Sequence, residues 1–147
     1  MAKAYPVFKA AAIQAAPVYR DKPVYFDSKA TLEKALELIG EAAGNGARLI
    51  VFPETWLPGF PYWSIHMARG PEWADIWAEY WRHSIEVPGE ETEALCRVAK
   101  QGNTCVAIGI NERDRRYEGR MYNSILYIGS GGEVMGCLLY TSPAHET

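Results

Sequence analysis

The sequence predicts an α/β layered sandwich. Two observations carry this. Short apolar runs with β-branched residues alternate with longer segments of helical periodicity, and a pair of strand-like runs around a glycine turn closes the pattern as a hairpin. The chain has 147 residues, 48% of them hydrophobic and 22% charged. That length and mix suit one domain with a real core.

Each element can be justified in order. Residues Phe8 to Ala15 (FKAAAIQA) read as a first strand. A helix begins near Ser28, a plausible N-cap. Leu32, Ala35, Leu36, Ile39 and Ala42 recur at helical spacing along it, with Glu33, Lys34, Glu37 and Glu41 on the other face. Gly44-Asn45-Gly46 closes that helix. Leu49 to Phe52 is a short apolar run, expected to be a strand buried on both faces. Pro71 to His83 reads as a helix with proline in its first turn. Glu91 to Gln101 is a second amphipathic helix, ended by Gly102 at C′. Thr104 to Asn111 and Tyr122 to Ile128 are strands, and the Gly129-Ser130-Gly131-Gly132 turn leads to a short fifth near Glu133 to Met135.

Composition excludes several function classes. The net charge is −3 and no basic stripe is present, so nucleic acid is not an expected partner. No stretch reads as a signal peptide or a membrane span. Cys96, Cys105 and Cys137 are too widely spaced for a zinc pattern, and their odd number argues against a disulfide framework. The cytoplasm is the default compartment. Gly129 to Gly132 joins strand to strand without a following helix and lysine, so it is a turn and not a phosphate cradle.

Glu54 is the prime candidate for chemistry. It follows an apolar strand, at the place where α/β folds bind ligands, and a loop rich in Pro, Gly and aromatics comes next. Burial beneath that loop would raise its pKa into the range of a general base. The plain alternative is a solvated turn carboxylate. All five tryptophans fall between Trp56 and Trp81. Trp73, Trp77 and Trp81 form an i, i+4, i+8 stripe. Such a stripe ordinarily packs on a core, and a pocket wall or subunit interface is the alternative. Trp56, Phe60, Tyr62 and Trp63 directly follow Glu54 and are candidates to line a substrate pocket. Glu112, at the end of the third strand, could lie near the site or simply form a charged turn. His66 and His83 are more simply surface or structural groups. Cys96 and Cys105 read as small buried hydrophobes.

An ordered set of segments resembles the carbon–nitrogen hydrolase superfamily, and within it the N-terminal half of the nitrilase branch. The set comprises Ala12-Ile13-Gln14-Ala15-Ala16-Pro17, Ala47 to Thr55 (ARLIVFPET), Leu57 to Trp63 (LPGFPYW), Ser84 to Gly89 (SIEVPG), Ile108 to Arg113 (IGINER) and Tyr122-Asn123-Ser124. The likeness is collinear from about residue 8 to residue 136.

The resemblance implies an α-β-β-α sandwich, here incomplete, and a Glu-Lys-Cys catalytic set in which Glu54 corresponds to the glutamate. It implies hydrolysis of a nitrile to a carboxylic acid and ammonia, or of an amide in a sister branch. Small-molecule substrates, no metal or organic cofactor, and a homo-oligomeric parent protein go with it. A non-catalytic binding or assembly module is the alternative from another class.

Two partners of Glu54 are not found. No lysine follows Lys100, and Cys137 does not stand at the nucleophile's place. Residues 1–136 therefore read as the N-terminal part of the hydrolase domain, and 137–147 as a tail unlike the family. Cys137 to Pro143 (CLLYTSP) reads like a translated transposon-end adapter from a sequencing library, and a genuine truncated gene is the alternative. The expected consequences are an inactive chain and apolar strand faces left uncovered, with poor solubility.

Overall fold

A computed structural model describes residues 6–21 and 25–140. The first five residues and the tail beyond 140 lie outside them. The element order is β1 (Lys9–Ala12), α1 (Ser28–Gly44), β2 (Ala47–Val51), α2 (Trp63–His66), α3 (Pro71–His83), α4 (Glu90–Gly102), β3 (Cys105–Arg113), β4 (Met121–Ile128) and β5 (Val134–Tyr140). The five strands form one sheet in sequence order. β1, β2 and β3 run parallel, and β4 and β5 return antiparallel as hairpins.

Helices α1 and α4 pack on each other and on one face of this sheet. Ala35, Ile39, Leu95 and Ala99 meet Ile50, Val106, Ile108, Ile110, Leu126 and Ile128 there, all 0–1% exposed. This is the main core. Its partition follows from strand alternation, since Val106, Ile108 and Ile110 share a face.

The opposite face is different. Leu49 is only partly covered and Val51 is 41% exposed, which corrects the expectation that this strand is buried on both sides. Tyr127 and Leu138 are likewise exposed. Leu49, Val51, Ala107, Ile125, Tyr127 and Met135 line a hollow of about 350 Å³ on this face.

Local signals explain the element ends, with small shifts from expectation. The cap of α1 is Asp27 and not Ser28: the Asp27 carboxylate accepts from the Ala30 amide at 2.9 Å. Its pKa is lowered, first by that backbone hydrogen bond and then by Arg20. Helix α4 runs through Gly102, and Asn103 takes the left-handed position that ends it, with φ 47°. Asn tolerates this conformation better than most residues. The fifth strand is longer than the expected Glu133 to Met135.

Helix α3 meets the start of α1 through His83 and Ser28 and closes a smaller cluster. Its inward residues are Ile76, Glu79 and Tyr80, with Phe26 against them, and not the tryptophan stripe. Glu79 is buried because it has partners: its Oε1 accepts from the amides of Tyr25, at 2.6 Å, and Phe26, at 3.0 Å. A buried carboxylate satisfied in this way ties α3 to the approach of α1.

Candidate active site

Glu54 is placed by an arch between two pieces of parallel pairing. The Phe52 amide donates to Ala107 O at the end of β2. The chain then leaves the sheet over residues 53–56. It rejoins β3 at Leu57, whose amide donates to Gly109 O while its carbonyl accepts from Asn111 N. Ile85 continues the same edge beside Glu112. The arch crosses directly above Gly109. A Cβ there would lie 2.7 Å from Glu54 Cα and 2.5 Å from Thr55 N. Only glycine lets the backbone pass this close.

Thr55 completes the arch at φ 41°, uncommon for a β-branched residue. Its hydroxyl is buried and has no hydrogen-bond partner among the described residues. Strain of this kind persists only when the surroundings enforce it. Here the two sheet attachments do so.

The Glu54 side chain is held from β4. Asn123 Nδ2 donates to Glu54 Oε1 at 2.5 Å. Asn123 stands opposite Asn111 in the β3–β4 register. Asn111 is itself fixed, donating to Ser84 Oγ at 2.5 Å. Glu54 is exposed, so the burial expected at this residue is not supplied by the described chain. Tyr80 lies close by. Burial raises its pKa first, and the neighbouring Tyr19 and the Glu54 charge raise it further. It remains a neutral hydroxyl donating to Gly59 O at 3.0 Å.

The other candidates distribute as follows. Trp56 enters the main core at 1% exposure, where its indole N–H donates to Ala15 O at 2.7 Å and its ring meets Phe52 edge-on. Phe60 and Tyr62 form a ring pair at 4.7 Å, with Tyr62 exposed. Trp63 abuts Trp73 and Trp77 edge-on, and those two stack at 5.2 Å. Trp81 stands apart beneath Arg113. The tryptophans of α3 thus pack largely on one another and Trp63, half-buried, outside the main core. His83 Nδ1 is bonded to Ser28 Oγ, a structural contact.

Glu112 is not brought to Glu54. Its Oε2 accepts from Ser124 Oγ at 2.9 Å and from the Cys137 thiol at 3.2 Å. Neighbouring strand residues point to opposite faces. Ser124 with Glu112 and Cys137 therefore lies across the sheet from Asn123 with Glu54. Burial, and then the Glu112 carboxylate, push the Cys137 thiol up to about 11. A thiol so protonated is a poor nucleophile at neutral pH.

Asn123 is the site residue that sequence reading missed. Its triplet was visible, but its role depends on a register that brings residues 54 and 123 together. Among the described residues no group of three His, Cys, Asp or Glu could hold a metal ion, and no helix is long and apolar enough to cross a membrane.

Known proteins share this fold and much of this sequence. The carbon-nitrogen hydrolase family model matches residues 9–139. A protein named nitrilase 2, from an unknown prokaryotic organism, is 41% identical over 78% of this chain and 36% of its own length. An aliphatic nitrilase of Sinorhizobium fredii is 41% identical over 85% of this chain and 39% of its own. The chain thus spans well under half the length of these relatives. Among solved structures, Saccharomyces cerevisiae Nit3, of branch 10 of the nitrilase superfamily, superposes with TM-score 0.62 at 17% identity, covering 90% of this chain and 43% of that one. An amidase from Nesterenkonia sp. gives 0.56 at 15% identity, over 90% and 42%. With a family model spanning nearly all of its described residues, the chain belongs to the carbon-nitrogen hydrolase family.

Proposed function

We propose that this chain carries the general base of a nitrilase, and that the base is Glu54. The observation that supports this most is the arch: a carboxylate fixed at a strand end by sheet bonds on both sides and by an amide donor from β4. In this reading a cysteine thiol and a lysine come from the remainder of a parent protein. Glu54 takes the thiol proton, and the thiolate adds to the nitrile carbon to give a thioimidate. The lysine ammonium stabilises charge developing on nitrogen. Water then releases ammonia and leaves an acyl-enzyme, and a second water yields the carboxylic acid. Proton transfer by a placed carboxylate contributes roughly 10²–10⁴-fold to rate.

Nitrile is preferred to amide because the relatives at 41% identity are named nitrilases. Alone, the 147-residue chain is expected to release no ammonia. A parent carrying the Lys and Cys segments is expected to release it from nitriles, and to lose at least about 100-fold in kcat on Glu54→Gln. Retained activity in that variant would refute the role. Turnover of amides in place of nitriles would move the reading to an amidase.

Residues 137–147 remain proposed as foreign to the gene. Both β5 and the family match run a few residues past 136, to Tyr140 and residue 139. Long reads through codon 136 that carry the same tail would sink this proposal.

A further inference from the structure

Asn123 bears a polarity that the fold does not use. Its neighbours along β4 are largely apolar, and one of its two polar atoms, Oδ1, is buried without a hydrogen-bond partner among the described residues. An unsatisfied buried carbonyl is a cost to stability. An apolar β-branched residue would suit the strand better. Among the described residues, the one hydrogen bond that its side chain donates goes to Glu54. Because a carboxylate only accepts, the amide must turn Nδ2 towards it.

We infer that Asn123 is a positioning residue for Glu54, retained for catalysis at the expense of stability. The inference rests on Glu54 acting as the base. Its mechanism is simple. Glutamate has three side-chain torsions, and an exposed one samples many rotamers. Binding Oε1 to a strand-borne amide removes most of that freedom. Oε2 is then the oxygen left to take and return a proton. Asn123 is itself fixed by the ladder register opposite Asn111, so it can place the carboxylate accurately.

The test joins two readouts. On this chain, the ¹⁵N spectrum of the Asn123 side-chain amide is recorded for the wild type and for Glu54→Ala, which removes the acceptor. The amide protons should lie downfield and move back towards ordinary asparagine values in the variant. An unresponsive amide overturns the inference. On the full-length parent, Asn123→Val and Asn123→Ser are assayed with phenylacetonitrile and butyronitrile, and each variant is melted. A loss of about 10- to 100-fold in kcat is expected, with KM nearly unchanged. The melting temperature of Asn123→Val should be equal to or above the wild type. A lowered melting temperature with unchanged kcat would make the residue structural and overturn the inference. If Glu54→Gln is inactive while both Asn123 variants keep full kcat, the positioning role fails and the base survives. If Glu54→Gln keeps full kcat, the base itself fails.

Discussion

The two faces of one sheet have opposite characters. On the face under α1 and α4, Ile50, Val106, Ile108, Ile110, Leu126 and Ile128 are at most 1% exposed. On the other, strand neighbours of those same residues line an open hollow, with Val51, Tyr127 and Met135 at 41%, 40% and 67%. The candidate chemistry divides the same way. Glu54 and Asn123 belong to the open side, whereas Glu112 and Cys137 belong to the covered side. The covered face closes a core by itself, and the open face presents a site without walls. In the family's two-sheet sandwich, that open face is where a second layer would be expected to sit.

The sharpest way to break this comparison is to truncate one residue on each face. Leu95→Ala, in the covered core, should cost about 2–5 kcal/mol, whereas Val51→Ala should stay within about 0.5 kcal/mol. Urea unfolding of both variants measures the difference. Similar costs would mean that the open face is covered in solution.

Gly109→Ala probes where the site attaches to the fold. A methyl group would strike the arch backbone, so a loss of about 1–3 kcal/mol is expected, together with displacement of Glu54. Chemical shifts at residues 53–57 would report the displacement.

Asp27→Ala touches only the covered side, by removing the cap of α1, and should cost about 1 kcal/mol. The cap also sets a pH dependence. Because the folded pKa is lowered, its contribution is fully present above the unfolded value near ~3.9. It is lost as pH falls through the folded value. Melting temperatures of wild type and variant should therefore converge in acid. A constant gap down to pH 2 would contradict the assignment.

The smallest effect on stability is the most local. The Cys137 thiol, at about 11, should alkylate slowly at neutral pH. Its rate should climb about tenfold per pH unit, without a plateau until near that value. Fast alkylation at pH 7 would place Cys137 outside the covered face.

Much of this fold is legible in the sequence, because helical and strand periods are strong local signals. Pro71 to His83 forms the helix that was expected, with its proline in the first turn. The shifts at Asp27 and Asn103 arose where two adjacent residues both suit a cap. The faces were harder to read. Leu49 to Phe52 is apolar throughout, so nothing in it distinguishes a covered side from an open one. Likewise the tryptophan stripe of α3 lies directly beside the inward residues Ile76 and Tyr80, which were hidden next to three larger rings. Glu54 could be named from its position after a strand, but its donor, sixty-nine residues away, could not.

The arch over Gly109 also has a consequence for dynamics. A loop that hangs from a sheet by one end opens on its own, and its amides exchange with solvent long before the domain unfolds. Residues 53–56 are anchored at both ends by bonds to the central strand. Exchange at the Phe52, Leu57 and Asn111 amides should therefore be coupled to opening of β3 itself. The carboxylate would then keep its place for as long as the sheet does, with no closing step needed to assemble it.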